Sequence, residues 1–366
     1  MKSFVKNFVK FCSNKIDFKR GFILITSSLV IYFSFFYFIA VNKLESLFIN
    51  QTYQKEELAV LSGADSIHTF LEMTENSLLL LSRNSSIINQ DAEIQKVLDE
   101  FALDWAETAI LGAARFDKDG VLRFAGTNID ELLSTDDNPL IKDRDYFVWA
   151  ETATEGDTYL GKPLMPRVGL SQLGYIFPYI TPIYKNGEFD GILLLPISLS
   201  KLTATYLNPL KVSPNCIVYL IHPDGTVLAS STRHIELVGV NYFEYLRNKS
   251  YSGSEEAFQE FTKAVKKKNI GKLDLMLFSV IEKKPIRFII TLSPVIFNNK
   301  HWTLGLAVPF DDINTDLGPF KKNGIMFIFL YIAIILTMSI IGFLIEKIFQ
   351  RKVNFNCSKE GKINKN

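Results

Sequence analysis

Residues Ala109–Ala125, AILGAARFDKDGVLRFA, decide the fold, because Cys216–Ala229, CIVYLIHPDGTVLA, repeats their design. Each stretch is an apolar run, a turn closing on Asp-Gly, and a returning apolar run. That is the pattern of an antiparallel hairpin, since Asp-Gly supplies the backbone freedom a tight turn needs. The turns Asp117-Lys118-Asp119-Gly120 and His222-Pro223-Asp224-Gly225 stand 105 positions apart. A second pair of hairpins follows in the same order. Tyr175–Tyr184 contains Thr181-Pro182, turns at Asn186-Gly187 and returns as Gly191–Pro196. Arg287–Phe297 contains Ser293-Pro294, turns at Asn298-Asn299 and returns as Leu304–Pro309. Pro182 and Pro294 are 112 positions apart, and Pro196 and Pro309 are 113. Two hairpins recurring at nearly one offset predict two similar α+β modules in series, each an antiparallel sheet with helices packed on it.

Outward from the repeat, Asn42 to about Arg83 reads as one long helix. Leu44, Leu47, Phe48, Leu58, Leu61, Phe70, Leu71, Met73, Leu78 and Leu81 recur at three- and four-residue steps. This stalk continues directly from an uncharged apolar run, Gly21–Val41, bounded by Arg20 and Lys43; a second run spans Asn323–Ile345. At about 1.5 Å per residue each is long enough to cross a hydrocarbon core of about 30 Å. A cleaved leader is the other reading of the first run, but the run is too long for one and lacks a small-residue cleavage site.

Charge sets the expected orientation. Lys2, Lys6, Lys10, Lys15, Lys19 and Arg20 stand against Asp17 before the first run. Arg351, Lys352, Lys359, Lys362 and Lys365 stand against Glu360 after the second. The whole chain totals only +1, so the middle is acidic. Positive flanks stay in the cytoplasm, which predicts a two-pass protein of the inner membrane with both termini inside and residues 43–322 outside. The expected order is a cytoplasmic segment 1–20, a span 21–42, a stalk and connecting helix 43–105, a membrane-distal module 106–210, a membrane-proximal module 211–320, a span 323–345 and a tail 346–366. Cys216 is alone in the outer segment, with Cys12 and Cys357 on the inner flanks, so stability outside must come from a packed core rather than a disulfide.

This layout of span, stalk helix, two tandem modules and second span resembles the double Cache extracytoplasmic sensors of bacterial receptors, whose modules are PAS-like. The local match is Asp143-Arg144-Asp145-Tyr146-Phe147, then Gly161-Lys162-Pro163, Ile180–Ile183 and Gly187–Gly191. The resemblance covers about Val41 to Phe349. It implies that the distal module holds a ligand and that the proximal module passes the signal to the second span.

The candidate site is Asp143–Trp149 with the strand Tyr175–Thr181. Strand alternation puts Tyr175, Phe177, Tyr179 and Thr181 on one face and Ile176, Pro178 and Ile180 on the other. Arg144 offers a planar fork for a carboxylate, and Tyr146, Phe147, Trp149, Tyr175, Phe177 and Tyr179 could wall a small-molecule pocket. The same residues admit a plain structural role, with Arg144 paired to a neighbouring acid and the aromatics in the core. Amino-acid-binding members of the family carry Trp-Tyr after the arginine and an aspartate in the returning strand. Here those positions are Tyr146, Phe147 and Pro196, so an organic acid or other anion is expected rather than an amine.

Other constellations are weak. His68, His222, His234 and His301 lack metal-ligand spacing, and Asp136-Asp137 and Asp311-Asp312 lack that of a calcium loop. Gly169–Gly174 is too long for a nucleophile elbow, and Lys263–Lys268 reads as a wet helix face. Asn50, Asn84 and Asn248 begin Asn-x-Ser/Thr triplets, which arise readily by chance. No cofactor, metal, catalytic group or nucleic-acid partner is expected. The expected partners are a small organic ligand, the lipid membrane, a second copy through the stalk, and a separate membrane signalling protein, since only 17 residues follow Phe349. The alternative is a membrane-anchored structural or protein-interaction module with no small-molecule ligand.

Overall fold

The computed structural model describes residues 2–127, 140–167, 174–231, 237–248, 255–279, 284–297 and 300–363. Asp136-Asp137, residues 169–173, His234, the last residues of the Asn248 triplet and the Asn298-Asn299 turn lie outside them. The chain divides into two compact units, residues 1–49 with 313–366, and Asn50–Asp312.

Helix α1 (Lys2–Ser82) runs unbroken for 81 residues. Helix α2 (Ser85–Asn89) follows, its N-cap Asn84 accepting a hydrogen bond from Ser86 N–H, and then α3 (Ile94–Asp104). The first module is a five-stranded antiparallel sheet of β1 (Gly112–Asp117), β2 (Leu122–Thr127), β3 (Tyr159–Leu160), β4 (Ile176–Lys185) and β5 (Glu188–Ser198), in the order β2-β1-β5-β4-β3. Helix α4 (Asp145–Ala150) lies between β2 and β3. After α5 (Leu199–Leu202) comes the second sheet, β6 (Ile217–Ile221), β7 (Val227–Ser230), β8 (Gly271–Ser279), β9 (Lys284–Phe297) and β10 (Lys300–Pro309), ordered β7-β6-β10-β9-β8. Helices α6 (Tyr242–Asn248) and α7 (Glu255–Lys266) belong to this module, and α8 (Phe310–Ile363) closes the chain.

The second sheet repeats the first strand for strand, as two PAS-like modules should. The likeness reaches single hydrogen bonds. Asp117 N–H donates to Val121 O at 3.0 Å and His222 N–H to Thr226 O at 2.9 Å. Gly120 (φ 77°) and Gly225 (φ 97°) close the two turns in a left-handed conformation that side chains resist. A β-bulge falls between Arg115 and Phe116 and recurs between Leu220 and Ile221, the same 105 positions on. Asn186 (φ 54°) and Gly187 (φ 84°) form the two-residue turn joining β4 to β5.

Within residues 50–312, α1 packs against both modules. Gly63 leaves room for the second: a Cβ there would stand 2.3 Å from Leu210 Cδ1 and 2.9 Å from Leu304 Cδ2. Phe70 meets the Tyr206 ring at 5.2 Å, and Thr158 Oγ1 donates to Glu75 Oε1 at 2.6 Å. Glu56 is wholly buried against β9, where Thr291 Oγ1 donates to its Oε2 at 2.6 Å. Burial pushes this carboxyl up to about 8, against the Thr291 and Val308 hydrogen bonds that lower it. Asp312, in the first turn of α8, accepts from Ser213 Oγ (2.6 Å) and Asn215 Nδ2 (2.7 Å), tying that helix to the second module.

In the other unit, α1 and α8 lie side by side. Tyr37 Oη donates to Lys321 O at 2.9 Å, Phe33 meets Tyr331 at 5.1 Å, and Gly324 admits the Tyr37 ring. Both helices carry stretches long and apolar enough to cross a membrane.

Candidate functional site

A cavity of about 80 Å³ opens in the first module between β1, β2 and the segment 140–167. Its floor follows from residue size. Gly112 and Ala114 on β1 lie in register with Thr127 and Ala125 on β2, and Ala113 with Gly126. On the face of Gly112 and Ala114 three of these four residues are Ala or Gly, so little rises from the sheet. Gly126 also lets α3 approach, because a Cβ there would meet Leu98 O at 2.0 Å. Phe116, Leu194, Ile176 and Ile141 supply apolar walls.

Polar character comes from Tyr146 and Arg167. Tyr146 sits in α4, and burial pushes its hydroxyl up to about 12 while Arg144 and Arg167 pull the other way, so it stays protonated and can donate. Arg167 forks onto Asp143: Nη1 bonds Oδ1, and Nη2 reaches Oδ2 at 2.7 Å. This pairing holds the Asp143 carboxyl down at about 2. Among the described residues no carboxylate lines the cavity, and Pro196 stands on its wall.

Arg144 is the N-cap of α4, with extended backbone that aims the following turn inward. Its Nη2 donates to Met165 O at 3.1 Å, and its Nε is buried without a hydrogen-bond partner among the described residues. Phe147 is fully buried in the cluster that backs the cavity, beside Tyr146, Phe116, Ile180 and Leu194. Trp149 packs on the same cluster and stacks on Tyr159 at 5.2 Å.

The strand aromatics go elsewhere. Ile176 lines the cavity and Ile180 joins the cluster behind it, so the odd-numbered residues of β4 occupy the reverse face. Phe177 stacks there on Trp302 of the second module at 5.5 Å, Tyr179 is buried, and Tyr175 just before the strand is partly exposed. The structure therefore places Tyr146 on the cavity wall with Phe147 and Trp149 packed behind it, leaves Arg144 outside the lining, and puts Tyr175, Phe177 and Tyr179 on the other side of the sheet. Arg167 and the small-residue floor were not singled out from sequence; the Gly112-Ala113-Ala114 run was the available signal.

The chain matches no family model and no curated protein. Its fold is found in solved structures. The ligand-binding domain of the Pseudomonas fluorescens chemoreceptor CtaA, in complex with L-isoleucine, is 18% identical with a TM-score of 0.52, over 75% of this chain and 98% of that one. The extracellular domain of mmHK1S-Z3, described as a histidine kinase, is 16% identical with a TM-score of 0.51, over 73% and 97%. The ligand-binding domain of the Pseudomonas aeruginosa chemoreceptor PctB, in complex with L-Gln, is 16% identical with a TM-score of 0.50, over 70% and 90%. The resemblance read from the tandem hairpins holds at the level of fold.

Proposed function

We propose that this chain is a membrane-anchored extracytoplasmic sensor whose first module takes a small organic acid. The observation that carries the reading is the cavity over Gly112 and Ala114, lined by Tyr146 as donor and by Arg167, with Arg144 close by at the N-cap of α4 carrying a buried Nε that has no hydrogen-bond partner among the described residues. Such a site suits a ligand with an apolar body and one acceptor end. The fold neighbours that bind amino acids support a small-molecule role. An α-ammonium group would meet no acid among the described residues of these walls, which favours a carboxylate lacking the amine. In this proposal Phe147 and Trp149 back the site, and Tyr175, Phe177 and Tyr179 form the packed reverse face.

Both spans would cross the cytoplasmic membrane, with the two modules outside and both termini inside, in keeping with the basic flanks. Binding would favour one arrangement of the first module, and the Ser213–Asp312 grip would pass it to α8. Only a ligand that binds the two arrangements unequally can do this. A second copy joined through α1 and a separate membrane partner would carry the output.

The test is thermal melting of the full chain in lipid nanodiscs with short monocarboxylates and L-amino acids. A carboxylate at about 100 times its Kd should stabilise by about 2.7 kcal/mol. Arg144→Ala should remove the shift and Tyr146→Phe should weaken it. Tight binding of an amine, unaffected by Arg144→Ala, would reject the reading.

A further inference from the structure

A second and larger cavity, about 270 Å³, lies between the two modules. The first contributes Tyr159 and Lys162; the second contributes His222 at its hairpin tip and Lys300, His301 and Trp302 at the start of β10. Four basic side chains, Lys162, His222, Lys300 and His301, therefore surround it, and no acid lines it among the described residues. The nearby carboxylate, Asp224, is already engaged: Lys162 Nζ holds it at 2.7 Å and His222 Nδ1 at 2.9 Å. Together these partners and the Thr226 N–H hold its carboxyl far below the usual range, although burial opposes them. Lys300 Nζ lies over the Tyr159 ring, 5.3 Å from its centroid, with no carboxylate partner among the described residues. His301 Nε2 is buried without a hydrogen-bond partner among them. Trp302, fixed between Phe297 (4.7 Å) and Phe177 (5.5 Å), gives a rigid aromatic wall.

We propose that this inter-module cavity is a second binding site, taking a small flat organic anion of the aromatic carboxylate class, with Lys300 on the carboxylate, Trp302 against the ring and His301 adding charge from the neighbouring face of β10. Cations supply the charge, and an aromatic wall favours a flat body over a hydrated inorganic ion. Because each module contributes wall residues, an occupant braces one against the other. The site shares no lining residue with the cavity at Tyr146.

The titratable and charged groups around His301 are Lys268 two residues beyond α7, His222, Lys162, Lys300 and Asp224. Burial, then Lys268 and His222, hold the free imidazole below its ordinary value. An anion beside it favours the protonated form, so binding takes up a proton and tightens as pH falls.

Benzoate and inorganic phosphate are the probes, titrated into the full chain in nanodiscs with tryptophan fluorescence as readout. Benzoate should bind, more tightly at pH 6 than at pH 8. Lys300→Met, which keeps the stem, and His301→Gln should each weaken it at least about tenfold, and Arg144→Ala should leave it unchanged. Phosphate should bind at least about tenfold more weakly than benzoate. The proposal is overturned by absence of benzoate binding at about 10 mM, by phosphate binding as tightly, or by loss of benzoate binding in Arg144→Ala with Lys300→Met unaffected.

Discussion

The two modules share strand order, turn hydrogen bonds and even the position of a bulge, yet they fill one volume to different extents. In the first, Ala114 faces Leu194 across β1 and β5, and the space above the sheet stays open at about 80 Å³. In the second, Tyr219 occupies the position of Ala114 and Gly305 that of Leu194, with Ile217 in place of Gly112. The Tyr219 ring lies directly over Gly305, where a Cβ would meet it at 2.3 Å, and the equivalent space shrinks to about 40 Å³. Duplication fixes the scaffold, whereas a few side chains on the central strands decide how much space it encloses there.

The comparison can be broken or sharpened by substitution. The largest effect belongs to Arg115, whose counterpart is the buried Leu220. Arg115 is fully buried, pairs with Asp190 at 2.6 Å and reaches Ile87 O at 3.4 Å. Removing this large, fully buried side chain empties its site and leaves Asp190 only Gln90 as a side-chain partner among the described residues, so Arg115→Ala should cost about 3–5 kcal/mol in denaturant melting of the full chain. Tyr219→Ala should reopen the closed volume at a cost of about 2–4 kcal/mol, read the same way.

Glu56 gives a smaller effect that depends on pH, and it belongs to the second module's seat on α1. Its folded value is raised to about 8 from 4.5, so the folded state holds the proton more tightly. The stability it lends is complete below about pH 4.5 and is lost as pH rises through about 8, at roughly 1.4 kcal/mol per unit as an upper limit. Glu56→Gln should flatten that slope and melt above the parent at pH 9. The smallest effect is at the first turn, where exposed Arg123 pairs with Asp117 at 2.6 Å. Arg123→Ala should change stability by less than about 1 kcal/mol.

Much of the architecture was legible because turn chemistry is local. Asp-Gly and Asn-Gly named the hairpins, and recurrence in the same order at offsets of 105 to 113 positions named the duplication. The strand faces were harder to use. Ile176–Ile183 is buried on both sides, so β4 shows no alternation of apolar and polar residues to say which face meets a ligand. The aromatic face of Phe177 and Tyr179 looks pocket-like in sequence, but the second module and its Trp302 claim it. Arg115 reads as an ordinary polar strand residue; its burial depends on Asp190, 75 positions away. Tyr146 was visible through the short Asp143–Phe147 match, whereas Arg167 reaches the site only through the fold.

The most direct test of the account transplants the closed pairing into the open module. Ala114→Tyr with Leu194→Gly reproduces Tyr219 over Gly305 and exchanges volume rather than adding it, so the cost in stability should stay below about 1.5 kcal/mol. Calorimetric titration of this double variant with the carboxylate that stabilises the parent should show a folded protein and no heat of binding. Binding as tight as the parent's would contradict the account.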